Sequence, residues 1–359
     1  MLTILIGRAK TGKSDQVLRR MAERGERSRQ ILLVPEHASH QAEVDVCRAC
    51  GDTASRHAEV LSFRRLGERV LSITGGIADV TLDNGGKLLT LQRALLETAL
   101  QLTVYRKPSQ KVGFLEQMLS LFDELRCYEV TPEILYQQAQ DIGGATHDKL
   151  TDLSLLYAAY EARLCRPGLD ARDRMTKLCD HLEESGYVRD KDIFIDGFTY
   201  FNAQERRVLA AFLRQARSVT VTLLGEVNSR EEIFAPTLKT MEMLERLAKQ
   251  EHCPVMVETL TNTDTSALGQ LEQHFFSENL PYEGSSVSVR LREASAVYSE
   301  VEQTAADIRR LLAAGKCRCR ASASSRRKPL PPGRAGIPEP ASLWTFRREK
   351  RCALWPARN

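Results

Sequence analysis

Apolar runs of two kinds alternate along this chain and divide it. Short runs come first: Leu2-Thr3-Ile4-Leu5-Ile6, Gln30-Ile31-Leu32-Leu33-Val34 and Ala58-Glu59-Val60-Leu61-Ser62. Each is rich in aliphatic and β-branched side chains and predicts a buried strand. Pro35 closes the second run. Segments of helical composition follow each of them, over 14–24, 38–50 and 63–73, and Gly75-Gly76 then breaks the chain. Strand and helix in alternation predict a parallel α/β sheet.

Between 82 and 185 the period becomes helical throughout. Phe114, Leu115, Met118, Leu121, Phe122 and Leu125 share one helical face, and Leu150, Leu153, Tyr157, Tyr160 and Leu164 another. Such stripes pack cores, and no chemistry is assigned to them. Thr131-Pro132 predicts a helix start and Gly143-Gly144 its end. Short runs then return at 192–196, 218–224, 255–260 and 287–291, with helices over 237–250 and 300–312. Asn202-x-x-Glu205 predicts a capped helix running to Ala216. The expected organisation is an α/β domain over 1–81 and 186–320, interrupted by a helical insertion over 82–185.

Composition changes that picture at one end. The chain carries a net charge of +4, but residues 321–359 hold nine Lys and Arg against two Glu. The body is therefore slightly acidic, and the basic character belongs to the tail. That tail also holds six of the 13 prolines and both tryptophans, without periodicity. It reads as disordered. No stretch of about 18 apolar residues spans a membrane, and nothing at the start resembles a secretion signal. Nine scattered cysteines fit reduced thiols, so the expected location is cytoplasmic. Cys47-x-x-Cys50 falls in a helical stretch with no second pair downstream, which argues against zinc.

The chemistry starts at residue 7. Gly7-Arg8-Ala9-Lys10-Thr11-Gly12-Lys13-Ser14 is a complete phosphate-binding P-loop, G-x-x-x-x-G-K-[ST], set between a strand and a helix. The motif works because glycines let successive backbone N–H groups curl around phosphates, and the helix N-terminus adds positive potential. Lys13 is expected on the β- and γ-phosphates of ATP, with Ser14 on Mg²⁺. Asp196, at the end of the 192–196 run, is the second expected Mg²⁺ group. Active ATPases commonly follow that Asp with Glu; here the next residue is Gly197.

These residues, taken with Leu33-Val34-Pro35-Glu36, Leu61-Ser62-Phe63-Arg64-Arg65-Leu66 and Ile195-Asp196-Gly197-Phe198-Thr199-Tyr200-Phe201, form a distinctive series. Over about residues 1–320 the chain resembles the N-terminal part of AddB, the second subunit of the bacterial AddAB helicase–nuclease. The resemblance implies a RecA-like domain of a superfamily-1, UvrD-like helicase with degenerate motor motifs, in keeping with Gly197. It implies an AddA-type partner, double-stranded DNA ends as substrate, and single-stranded DNA facing His37, Ser39, Phe63, Arg65, Phe198 and Phe201. Aromatic rings stack on bases and arginine contacts phosphate or guanine, so the residue types fit. His37 and Glu68 depart from the family pattern, which commonly has Gln and an aromatic there. The resemblance stops near Arg320. The second RecA-like domain, the nuclease domain and its iron–sulfur cysteines have no counterpart, and the expectation is a truncated or frameshifted product whose tail is out of frame. A basic DNA-binding arm is the alternative for the tail. For the whole chain the alternatives are a P-loop kinase acting on a small molecule and a scaffold that binds ATP without turnover.

Overall fold

A computed structural model of the chain describes residues 1–51, 53–76, 82–106, 112–166, 169–170, 174–227, 232–262, 264–274, 284, 289 and 292–314. Strands and helices alternate at first: β1 (Leu2–Gly7), α1 (Lys13–Arg24), β2 (Gln30–Leu33), α2 (Ser39–Cys50), β3 (Ala58–Leu61) and α3 (Phe63–Thr74). Four helices follow, α4 (Asn84–Thr98), α5 (Val112–Cys127), α6 (Pro132–Asp141) and α7 (Ala145–Leu164). Two-residue strands β4 (Cys165–Arg166) and β5 (Leu169–Asp170) pair antiparallel. The alternation resumes with α8 (Arg174–Ser185), β6 (Asp192–Ile195), α9 (Ala203–Gln215), β7 (Ser218–Leu224), α10 (Ala235–Gln250), β8 (Val255–Leu260) and α11 (Ala267–His274). These lie in one compact unit, Met1–Ser285; α12 (Val297–Ala313) lies in a second, beginning at Ser286.

Six strands form one sheet in the order β3-β2-β6-β7-β1-β8, and every pairing is parallel. The central strands β1, β2 and β6 are buried along their whole length, which is why their sequences are unbroken apolar runs. Alternate side chains serve opposite faces. Ile4, Ile31, Leu33, Ile193, Ile195 and Val221 join a core with α3, α8, α9 and α10. Leu5, Leu32, Val34 and Phe194 join the other core, with α1 and α2. At the edge, β8 leaves Val255, Met256 and Val257 more than a third exposed.

The helical stripes come together as expected. Phe122 stacks on Tyr157 at 4.7 Å, and Leu91, Met118, Leu135, Leu153 and Tyr160 surround them in a third core built from α4 to α7. Helix α8 packs elsewhere: Leu178 and Leu182 are in the core of the sheet, so the separately packed helices end before it. The expected caps are in place. Thr131 caps α6 with Pro132 in its first turn, and Asn202 with Glu205 forms a capping box on α9. The strand expected at 287–291 and the tail at 321–359 lie outside the described residues.

One polar residue organises the helical core. Asp152 is 3 % exposed, and its carboxylate accepts the backbone N–H groups of Thr103, Val104 and Tyr105 at 2.7–3.0 Å. It replaces the backbone partners that the turn after α4 lacks. Asp152→Ala is expected to cost about 2–4 kcal/mol, since three N–H donors lose a charged acceptor. Urea unfolding measured by circular dichroism checks this, and a cost under about 0.5 kcal/mol would remove Asp152 from that role.

Candidate functional site

All six parallel strands end at the same edge of the sheet, and the loops and first helical turns that leave that edge carry every candidate residue. The loop after β1 is the most constrained. Lys10 (φ 58°) and Gly12 (φ 78°) both adopt left-handed backbone, which turns the chain sharply into α1. Gly7 permits the close approach of the loop. A Cβ there would lie 2.5 Å from Thr11 Oγ1 and 2.6 Å from the Leu260 carbonyl oxygen. No side chain caps the first turn of α1. Its N–H groups, with the positive end of the helix dipole, therefore face the loop.

Lys13 folds back into the loop. Its Nζ donates to the carbonyl oxygens of Gly7 and Arg8 at 2.6 Å each and to Thr11 Oγ1 at 3.3 Å. Burial pushes its pKa down to about 8, against the pull of the Asp196 and Glu272 carboxylates. The ammonium is thus held by the loop in partly dry surroundings, within the field of two carboxylates. Asp196 itself accepts a short hydrogen bond from Thr222 Oγ1, on the strand between β1 and β6. Thr222 and Glu272 were not among the residues singled out from sequence. Nothing local marks them, because they reach the site from β7 and α11.

Arg8 has a different task from the one its motif position suggests. Its guanidinium pairs with Glu226 at 2.8 Å, donates to the Glu272 and Gln273 carbonyls and lies 5.0 Å from the centre of the Phe234 ring. It ties the loop to neighbouring elements. Ala9 and Lys10 are exposed, as is Ser14 at the start of α1.

The next residue after Asp196 explains an oddity of the sequence. Gly197 has φ +83°, and a Cβ would come within 3.4 Å of the Pro35 ring. Any L side chain is strained in that backbone region. The turn that carries the chain away from Asp196 therefore has no place for a glutamate at 197. The nearest glutamate downstream, Glu205, is spent on the capping box.

Beside this lies an aromatic cluster. Phe63, first residue of α3, meets Phe198 edge-on at 5.5 Å, and Phe198 stacks on Phe201 at 5.4 Å. The loops after β3 and β6 thus bring together three rings read separately from sequence. They are not equivalent. Phe63 and Phe198 are half-buried, whereas Phe201 is 7 % exposed and belongs to the core. Tyr200, passed over as a site residue, is 64 % exposed. Its alternation with Phe201 was the available signal. His37 is exposed in the 3₁₀ turn Glu36–Ala38, while Ser39 is buried and its hydroxyl has no partner among the described residues. Arg65 pairs with Glu43 at 2.6 Å. Glu36 accepts from Ser62 and from Arg64, and those two bonds hold its carboxyl below the usual range.

The comparison with known families can be set against this arrangement. Residues 4–272 match the model of the AddB N-terminal family. The chain belongs to the AddB family. It is similar to the B subunit of the ATP-dependent helicase/deoxyribonuclease of Desulforamulus reducens, 33% identical over 331 residues, 86% of this chain and 29% of that protein. The protein of the same description from Moorella thermoacetica is 33% identical over 333 residues, again 86% and 29%. That from Clostridioides difficile is 29% identical over 329 residues, 86% of this chain and 28% of its own length. The chain thus spans less than a third of these AddB relatives. The matched residues contain the loop after β1, Asp196 and the aromatic cluster. Among the described residues no helix is long and apolar enough to cross a membrane.

The contrast between neighbouring rings is testable. Phe201→Ala is expected to cost about 3–5 kcal/mol in chemical unfolding, as for any large core side chain. Tyr200→Ala is expected to stay within about 0.5 kcal/mol of the parent. Equal costs for the two would place both rings on the same side of the core boundary.

Proposed function

We propose that this chain is the N-terminal part of the B subunit of an ATP-dependent helicase/deoxyribonuclease, and that it binds Mg²⁺-ATP and single-stranded DNA with little hydrolysis of its own. The observation that carries this reading is the end of β6. Asp196 faces the Lys13 loop there, and Phe198, two residues on, faces the aromatic cluster. One short segment joins the two candidate sites, so a change at the nucleotide reaches the DNA surface through two peptide units.

The nucleotide half of the proposal follows from the loop. The uncapped N–H groups of α1 and the loop amides receive phosphate oxygens, and Lys13 exchanges its carbonyl partners for them. Ser14 and Asp196 offer a hydroxyl and a carboxylate, the hard oxygen ligands that Mg²⁺ takes. The ion would neutralise charge between the β- and γ-phosphates. Strand β7 lies between β1, which leads into the Lys13 loop, and β6, which ends before Asp196, so those two strands are about 9–10 Å apart, two strand spacings. That order supports a RecA-like reading of the sheet. Slow turnover follows from Gly197, which leaves the attacking water without a carboxylate beside Asp196.

The DNA half rests on the surface beyond β2, β3 and β6. Phe63, Phe198 and Tyr200 supply ring faces, and His37 and Arg65 supply polar contacts, Arg65 after exchange of Glu43 for phosphate. Phe201 and Ser39 support that surface from beneath. The partner in this reading is an AddA-type subunit that supplies the motor, and the substrate is a duplex DNA end from which a single strand is drawn.

Two outcomes test the halves separately. Lys13 begins to lose its proton near pH 8 in the free protein, whereas bound phosphate would hold that proton. Affinity for a fluorescent ATP analogue is therefore expected to be level from pH 7 to 8 and to fall by about tenfold per unit above it. In Lys13→Ala most of the affinity and the slope disappear together; a level profile to pH 9.5 would exclude Lys13 as the phosphate ligand. For DNA, Tyr200→Ala and Phe63→Ala are each expected to weaken oligothymidylate binding about tenfold, one stacked ring apiece. Folded variants that bind as tightly as the parent, measured by fluorescence anisotropy, would move the DNA surface elsewhere.

A further inference from the structure

The opposite edge of the sheet takes no part in this scheme. There β2, β3, β6 and β7 begin, and three adjoining depressions run across their amino ends. The first, about 450 Å³, is lined by Arg29, Arg56 and His57. The second, about 640 Å³, shares Arg29 and Tyr187 with it and extends to Arg189 and Arg217. The third shares Arg217 and Ser28 with the second and ends at Ser218. Crossing four strands, the trough is roughly 14 Å long at ~4.8 Å per strand. Volumes of this size suit a small ligand or a short stretch of a polymer.

Charge in the trough is unbalanced. Basic side chains outnumber acidic ones two to one along its lining. The acids inside it are already engaged. Glu59 accepts from Tyr187 Oη at 2.9 Å and pairs with Arg69 at 3.4 Å, and Asp192 pairs with Arg24 at 2.9 Å. Glu26 and Asp190 sit exposed at the rim. By contrast, Arg29, Arg56, Arg189 and Arg217 make no ion pair among the described residues. Beneath them His57 and Ser28 are each 7 % exposed, and their side-chain polar atoms are covered and have no hydrogen-bond partner among the described residues.

We propose that this trough is a second anion site, remote from the Gly7–Ser14 loop, that takes phosphate oxyanions between the exposed guanidinium groups of Arg29, Arg56, Arg189 and Arg217. Planar guanidinium forks match phosphate in geometry and charge. The phosphates of a nucleic-acid strand and those of a free oligophosphate offer the same chemistry. The competing account is that these arginines only complement helix C-termini, as Arg27 does in donating to the Arg24 carbonyl. That account requires stability to change on substitution and anion affinity to stay constant.

The test titrates the full chain with inorganic tripolyphosphate and, separately, with a ten-residue oligothymidylate, by calorimetry at low salt. The proteins are the parent, Lys13→Ala, and Lys13→Ala carrying in addition either Arg29→Gln with Arg56→Gln or Arg217→Gln. Tripolyphosphate is expected to bind Lys13→Ala in the trough, and adding the arginine pair of substitutions is expected to lose about tenfold or more of that affinity. If that variant melts early, Arg217→Gln in the same background carries the same expectation alone. A reduced salt slope for oligothymidylate in the arginine variants identifies a strand backbone as the source of the phosphates; an effect on tripolyphosphate alone identifies a free oligophosphate. The proposal is overturned if tripolyphosphate binding vanishes in Lys13→Ala, if the arginine variants bind it as tightly as Lys13→Ala alone, or if they lose only thermal stability.

Discussion

Strand β6 is hydrogen-bonded on both sides, to β2 and to β7, and it stops at Ile195 with the Asp196 amide still bonded to the Leu33 carbonyl. The next residue, Gly197, turns with φ +83°, and a Cβ on that backbone would touch the Pro35 ring at 3.4 Å. That turn leaves any L side chain at 197 in strained backbone and delivers Phe198 to Phe63. A glutamate introduced at 197 would carry the strain of that backbone conformation as well as its charge.

The parallel sheet also sorts charge between its two edges. Helices that follow parallel strands present their N-termini at the carboxyl edge and their C-termini at the amino edge. The carboxyl edge therefore offers donors, and its arginines and lysine are tethered: Arg8 to Glu226, Arg65 to Glu43, Lys13 to loop carbonyls. The amino edge attracts cations, and there several arginines stand without carboxylate partners among the described residues. Tethering holds the Gly7–Ser14 loop in shape through contacts within the chain.

Membership of the AddB family places this chain within a longer architecture, of which it covers less than a third in the relatives compared. Two surfaces of the described chain are apolar and open. Strand β8 exposes Val255, Met256 and Val257 at the sheet edge, and α12, within its own unit, has no buried residue although Val301, Ile308 and Leu312 punctuate it. Both are apolar beyond what a solvent-facing element needs.

Local signals in the sequence determined the elements. Apolar runs of four to seven residues became strands, the stripes over 114–125 and 150–164 became packed helices, and Thr131-Pro132 and Asn202-x-x-Glu205 became helix caps, since each depends on residues within a turn or two. The loop from Gly7 to Ser14 was legible as a tight connection between strand and helix for the same reason: its signal is contained in eight consecutive residues. Tertiary structure decided the rest. Strand order in a parallel sheet depends on crossovers, and β2 meets β6 only after more than a hundred intervening residues. Those crossovers brought Thr222 to Asp196 and Glu272 to Lys13, diverted Arg8 and Arg65 into ion pairs, and moved α8 onto the sheet. They also separated Phe201 from Tyr200, one turned into the core and the other to solvent. Residue type could not distinguish the two, because burial is a property of what the rest of the chain packs against them.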